Sequence, residues 1–307
     1  MTRSALLGLL LIPALPAQAH LVGPAHQEFS WCLVDPVAVV LLILVAIAYQ
    51  RGIRHQRRRH QATPGAFRKR QIMFGGGWVP PAIALASPLD PLGEELFSAH
   101  MVQHELMMLI AAPLLILARP GAPLLRGLPR WGARGVGALL RGRGLRRFWD
   151  WLASPLIAWL VHLVVLWGWH VPVLFTAGLQ NTWIHALQHL SFLWVALLFW
   201  WALVRSSKRG SAVGVIYLFT TAIHASVLGA LLTFAPSVWY HPYLATAPQW
   251  GLSAMEDQQL GGLIMWMPSG LVFIAVALVE VAGYMRNSER RAQQRERIKE
   301  AQSHASS

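Results

Sequence analysis

Seven apolar runs, at residues 34–49, 72–89, 96–118, 152–175, 183–204, 212–234 and 259–284, are separated in alternation by arginine-rich segments and by segments without Lys or Arg. Each run is close to the roughly 20 residues that cross a hydrocarbon core as a helix. Inside a bilayer, backbone polar groups must be satisfied within the segment that carries them, so runs of this length leave little choice but helices. The chain is therefore read as an all-α, polytopic membrane helix bundle with seven transmembrane helices. The second run contains Gly75-Gly76-Gly77 and Pro80-Pro81 and is expected to be kinked.

Charge settles the topology. The sequence carries 26 Lys and Arg against 13 Asp and Glu, a formal net charge of +13 over 307 residues. The basic residues gather at 51–70, 119–147, 205–209 and 286–299, between alternate apolar runs. The other loops carry Glu28, Asp35, Asp90, Glu94, Glu95, Glu256 and Asp257 and no Lys or Arg. Cytoplasmic loops are the basic ones, which puts the N-terminus outside and the C-terminus inside. The positive charge is then a topology signal and a contact with the anionic inner leaflet, and nucleic acid is excluded as the partner it serves. Segment 124–149, rich in Arg, Gly and Leu, is expected to lie on that leaflet, anchored by Trp131 and Trp149. Its Gly132, Gly135 and Gly137 follow no strand and make no nucleotide-binding loop.

The termini complete the division of the chain. Residues 1–19 read as a signal peptide: Arg3, an apolar stretch, then Ala17-Gln18-Ala19. Cleavage there leaves His20 as the mature N-terminus of a membrane domain at 20–285, followed by a charged cytoplasmic tail at 286–307 that is expected to be a frayed helix and then disorder. The location is the bacterial inner membrane. A lone Cys32 forms no internal disulfide and no Cys-x-x-Cys pair exists.

Within this frame the pattern His-x-x-Gln-His occurs twice, as His100-Met101-Val102-Gln103-His104 and as His185-Ala186-Leu187-Gln188-His189. Side chains four apart share a helix face, so each copy points two imidazoles at one place. Groups of this kind are costly within a membrane and mark working sites. Both copies fall near the outer start of spans running in the same direction, which sets His104 and His189 roughly 10 Å inside the boundary. Around them the sequence brings His170 at the end of the fourth span, His224 in the sixth, Met108 one turn below the first pair, and Asp257, Met265 and Met267 at the head of the seventh. Imidazoles with thioethers suit copper, Cu(I) above all; zinc would leave the methionines without a role.

Plainer readings stand beside this one. Paired histidines also hydrogen-bond between helices, methionines fill gaps in apolar cores, and Glu256 and Asp257 also fit solvated loop positions. His162 is read as a bonded packing residue, and His55, His60 and His304 as surface groups. His20, with its free amine, is a further possible chelator of copper. His104-Glu105 begins a zinc-protease motif, but Met108 stands where its second histidine belongs. A copper permease would line a path with the same histidines, yet the inner halves of spans three, five and seven are almost wholly apolar. A haem-binding redox protein would take ligands from two helices, with His162 and His224 as the pair.

The string from His100 through Glu105, Pro113 and Arg119 to Pro120 resembles the third-span signature of the multi-span CtaG-type (caa3-type) cytochrome c oxidase assembly factors. His185 to His189 and Asp257-Gln258-Gln259-Leu260-Gly261-Gly262 through Trp266 resemble further signatures of that family. The resemblance runs over about residues 74–284. It implies a non-enzymatic role in maturing a haem–copper oxidase, whose subunits would be the partners, with a periplasmic copper chaperone as a donor.

Overall fold

A computed structural model of the chain describes residues 36–58, 64–207 and 213–306. The signal segment, His20, Cys32, Glu28, Asp35, His60 and Arg209 lie outside the described residues. All described elements are helical: α1 (Pro36–Arg58), α2 (Pro64–Leu85), α3 (Leu89–Glu95), α4 (Phe97–Glu105), a π-helical segment (Leu106–Ala111), α5 (Ala112–Ala118), α6 (Gly121–Gly127), α7 (Arg130–Arg141), α8 (Arg143–Leu152), α9 (Pro155–His170), α10 (Pro172–Gln180), α11 (Thr182–Ser207), α12 (Val213–Thr233), α13 (Tyr243–Thr246) and α14 (Ala254–Ser306).

Five helices are long and apolar enough to cross a membrane, and seven when each of two bent pairs is taken as one span. The first bent pair carries the expected kink, but not where the glycines and prolines are. Helix α2 runs on through Gly75–Gly77 and Pro80–Pro81, and the 48° bend falls at the break before α3. Pro88 stands in that break as the residue preceding α3. The second bend, 71°, separates α8 from α9, so the basic segment leaves the bundle sharply. Helices α7 and α8 form that segment; Trp131 is exposed on it, whereas Trp149 is turned into the main core.

The tail is helical as far as Ser306 as the last stretch of α14. The helical part of the expected frayed helix is present: Glu, Arg, Gln and Ala dominate the segment, and these are strong helix formers. From 286 to 298 its residues are exposed.

The main core draws on α4, Met108 of the π segment, α5, α9, α11, α12 and α14, and two smaller clusters lie beside it, one around Tyr49 and Phe74 and one around Leu96 and Ala247. Helices α12 and α14 make a close pair, with Gly229 against the Trp266 side chain and Gly262 against Thr233 and the Gly229 carbonyl. Small residues permit that approach, as they do between membrane helices in general. Two ends can be told apart by their contacts. At one end the starts of α4, α11 and α14 meet. At the other, Arg205 pairs with Asp150 at 3.0 Å and Ser207 donates to Glu280 at 2.6 Å, while Arg57 of α1 donates to Gln71 of α2 at 2.9 Å. The clustered arginines thus collect opposite the histidine motifs.

Candidate metal centre

Each His-x-x-Gln-His motif stands at the head of a span that follows a short helix and a single extended residue. Leu96 breaks the chain between α3 and α4 at φ −132° and ψ 126°, and Asn181 breaks it between α10 and α11 at φ −139° and ψ 114°. A glycine precedes each motif by the same interval, Gly93 before His100 and Gly178 before His185. A Cβ at Gly93 would run into Gln103 Oε1, and one at Gly178 would lie 3.0 Å from Gln188 Oε1. The glutamine of each motif is therefore seated against the glycine of its own preceding helix. This is one structural unit used twice, of which only the pentapeptide was visible in the sequence.

The two copies cap their spans differently. Asn181 Oδ1 accepts from the backbone N–H of Trp183 at 2.9 Å and of Ile184 at 3.2 Å. Leu96 has no oxygen to offer, and the role passes to Asp257 of α14. Its Oδ2 accepts from Phe97 N at 2.7 Å and its Oδ1 from Ser98 N at 3.0 Å, with the side chain fully buried. An anion at a helix N-terminus satisfies orphan N–H groups and opposes the helix dipole. Asp257 thus fixes the turn that carries His100.

The four motif rings converge. Ring centroids lie 4.4 Å apart for His100 and His104, 4.3 Å for His185 and His189, and 5.3–5.4 Å for the cross-pairs His100–His185, His100–His189 and His104–His189. Ligand nitrogens of His100, His185 and His189 all lie within 4.8 Å of one another, and no other group of three or more His, Cys, Asp or Glu among the described residues does so. His100, His104 and His189 are buried and His185 partly so. Neither nitrogen of His100 or His104, nor Nε2 of His189, makes a hydrogen bond of good geometry. Leaving a buried polar group unsatisfied costs about 1–3 kcal/mol. One nitrogen each from His100, His185 and His189 brought this close make a site that fits a cation, and such a three-histidine cluster is able to coordinate a metal ion; His104 packs beside it.

His170 stands at the edge, its ring 6.3 Å from that of His104. Its Nδ1 meets the Leu166 carbonyl at 2.7 Å. A carbonyl only accepts, so the proton sits on Nδ1 and the buried Nε2 keeps a free lone pair. Phe175 packs on His100 at 5.0 Å, and Tyr240 stacks on Phe97 at 4.7 Å and packs tilted on Phe175 at 4.2 Å. Tyr240 donates to the His170 carbonyl and Tyr243 to the Gly93 carbonyl, both at 2.9 Å. Burial pushes both phenols up, for Tyr243 with the charge of Asp257 adding to it. The loop after α12 thus seals the centre with aromatic rings tied to its scaffold.

The other sequence candidates sit elsewhere. His224 pairs with His162, rings 5.4 Å apart, and with Trp159 at 5.5 Å. Met108 and Met265 are buried and line a separate small cavity. Met267 is 53% exposed on the outer face of α14. Both oxygens of Asp257 serve the helix cap described above.

A model of the cytochrome c oxidase caa3 assembly factor family (Caa3_CtaG) matches residues 47–287. An uncharacterised protein of Mycobacterium bovis is 27% identical to the chain over 270 residues, and one of Mycobacterium leprae 26% identical over 278. The alignments cover 83% and 86% of this chain but 39% and 41% of those proteins, so the chain spans about two-fifths of the length of the curated relatives it matches. No solved structure matches it.

Proposed function

The chain belongs to the cytochrome c oxidase caa3 assembly factor family, and we propose that within oxidase assembly it takes up Cu(I) at the paired-histidine centre and hands it to a haem–copper oxidase. The family's members are assembly factors and not enzymes, and the chain is a multi-pass protein of the inner membrane. The observation that carries the reading is the convergence of His100, His185 and His189 from two helices onto one point. An assembly factor needs a site that forms and releases, and imidazoles on separate helices release an ion by a small separation of those helices. Neutral imidazole suits Cu(I) and adds no charge to a low-dielectric interior.

The ion is cargo. His100 and His104 of one motif and His185 and His189 of the other hold it, with His170 at the edge of the set. Gln103, which donates to the Ala84 carbonyl at 2.8 Å and to Asp90 at 3.2 Å, locks the first motif to the elements before it. With the arginine-rich end in the cytoplasm, the centre lies toward the outer side beneath its aromatic cover, where a periplasmic copper chaperone would load it and oxidase subunits would receive from it.

The test is complementation. A strain lacking the protein should lose haem–copper oxidase activity in its membranes and regain part of it with added copper. A His100→Ala/His185→Ala/His189→Ala variant that accumulates in the membrane like the wild type should not restore it. Full restoration by that variant would sink the reading.

A further inference from the structure

We propose that the chain holds a second, inner Cu(I) site below the first, built from the thioethers of Met108 and Met265 and the imidazole of His162. It rests on the copper reading of the outer centre for the choice of ion, and on a different set of residues for its existence.

A cavity of about 30 Å³ lies within the bundle, lined by Glu105, Met108, His162, Met265 and Ser269 among apolar neighbours. That is room for one water-sized occupant. His162 is 4% exposed, and its Nδ1 makes no hydrogen bond. Glu105 turns a buried Oε2 without a partner into the same region. Behind His162 stands His224, neither of whose ring nitrogens has a partner. A pair of imidazoles placed for packing alone would leave these atoms unsatisfied, which is costly in a buried site. Two thioethers, an imidazole and a nearby carboxylate form a donor set for a soft monovalent cation, with the carboxylate able to balance its charge.

The backbone places this set directly beneath the outer one. His104 and Glu105 are adjacent, so one helix end serves the outer centre and the inner cavity together. The helix then widens into the π-helical segment Leu106–Ala111, a geometry that recurs at functional sites. Trp200 of α11 donates to the Met108 carbonyl at 2.9 Å within it. That bond fixes the residue whose thioether lines the cavity. Cu(I) passes between the sites by exchange of neutral ligands, without change of oxidation state.

Cu(I) titration of the detergent-solubilised full chain against a chelator, under anaerobic conditions, distinguishes the two sites. The wild type should hold two ions per chain, with sulfur as well as nitrogen in the X-ray absorption spectrum of the loaded protein. A Met108→Leu/Met265→Leu variant keeps the side-chain volume, and so tests ligation apart from packing. It should hold one ion fewer and lose the sulfur signal, while His100→Ala/His185→Ala/His189→Ala should lose an ion and keep sulfur. A wild type holding one ion, bound without sulfur and unaffected by the leucine pair, overturns the inner site and leaves the outer reading intact. A wild type that binds no copper overturns both.

Discussion

Gln103 and Gln188 show how little of a membrane site is free to vary. Each is fully buried, and each is fitted against a glycine of the helix before it. Alanine at Gly178 would put its Cβ 3.0 Å from Gln188 Oε1, so the buried amide between His185 and His189 must give by a few tenths of an ångström. Gly178→Ala should therefore lower copper retention, measured by metal content after desalting, while Gly168→Ala, where a Cβ meets nothing within 4 Å, should not. Asp257 is the second residue whose role is structural at the site's expense. Asp257→Ala strips two buried N–H groups of their charged acceptor and should cost about 1–3 kcal/mol in detergent unfolding; Asp257→Asn, which keeps one acceptor oxygen, should cost less. The sequence displayed the residue type and position of Asp257, but not its partner, because capping across 160 residues depends on helix packing that no local pattern encodes.

At the scale of elements, the spans were legible from apolar length and the alternation of charge, since both are imposed by the bilayer. Their interruptions were less so. Gly75–Gly77 and Pro80–Pro81 are helix breakers by propensity, yet α2 continues through them and bends only after Leu85. Neighbouring helices in a membrane re-satisfy what proline frees, so composition marks a weak point without fixing the bend. The π-helical segment at Leu106–Ala111 left no trace that residue pattern alone would reveal. Its Met108 carbonyl depends on Trp200, and Trp200→Phe should destabilise the bundle by about 1–3 kcal/mol through that unsatisfied oxygen. Thermal unfolding in one detergent would read this, with Trp183→Phe, at a half-exposed position, as the neutral comparison.

Across the whole molecule, the arginine clusters and the histidine motifs lie at opposite ends of the bundle, which gives the chain a polarity that composition had already suggested. In a Cys32→Ser background, a cysteine at Gln249 should react with a membrane-impermeant thiol reagent added to intact cells, and one at Arg290 should react only after permeabilisation. The convergence of the two motifs was readable because they repeat at the same depth in parallel spans. The separation of Met108, Met265, His162 and His224 from the outer centre was not, because helix rotation decides which residues of a span face one another. The measurement that bears most directly on the account is the copper retained by the purified protein after Cu(I) loading, beside a folded His100→Ala/His104→Ala/His185→Ala/His189→Ala variant. A variant that holds one ion fewer than the wild type is the predicted result; equal copper in the two, or none in either, would contradict it.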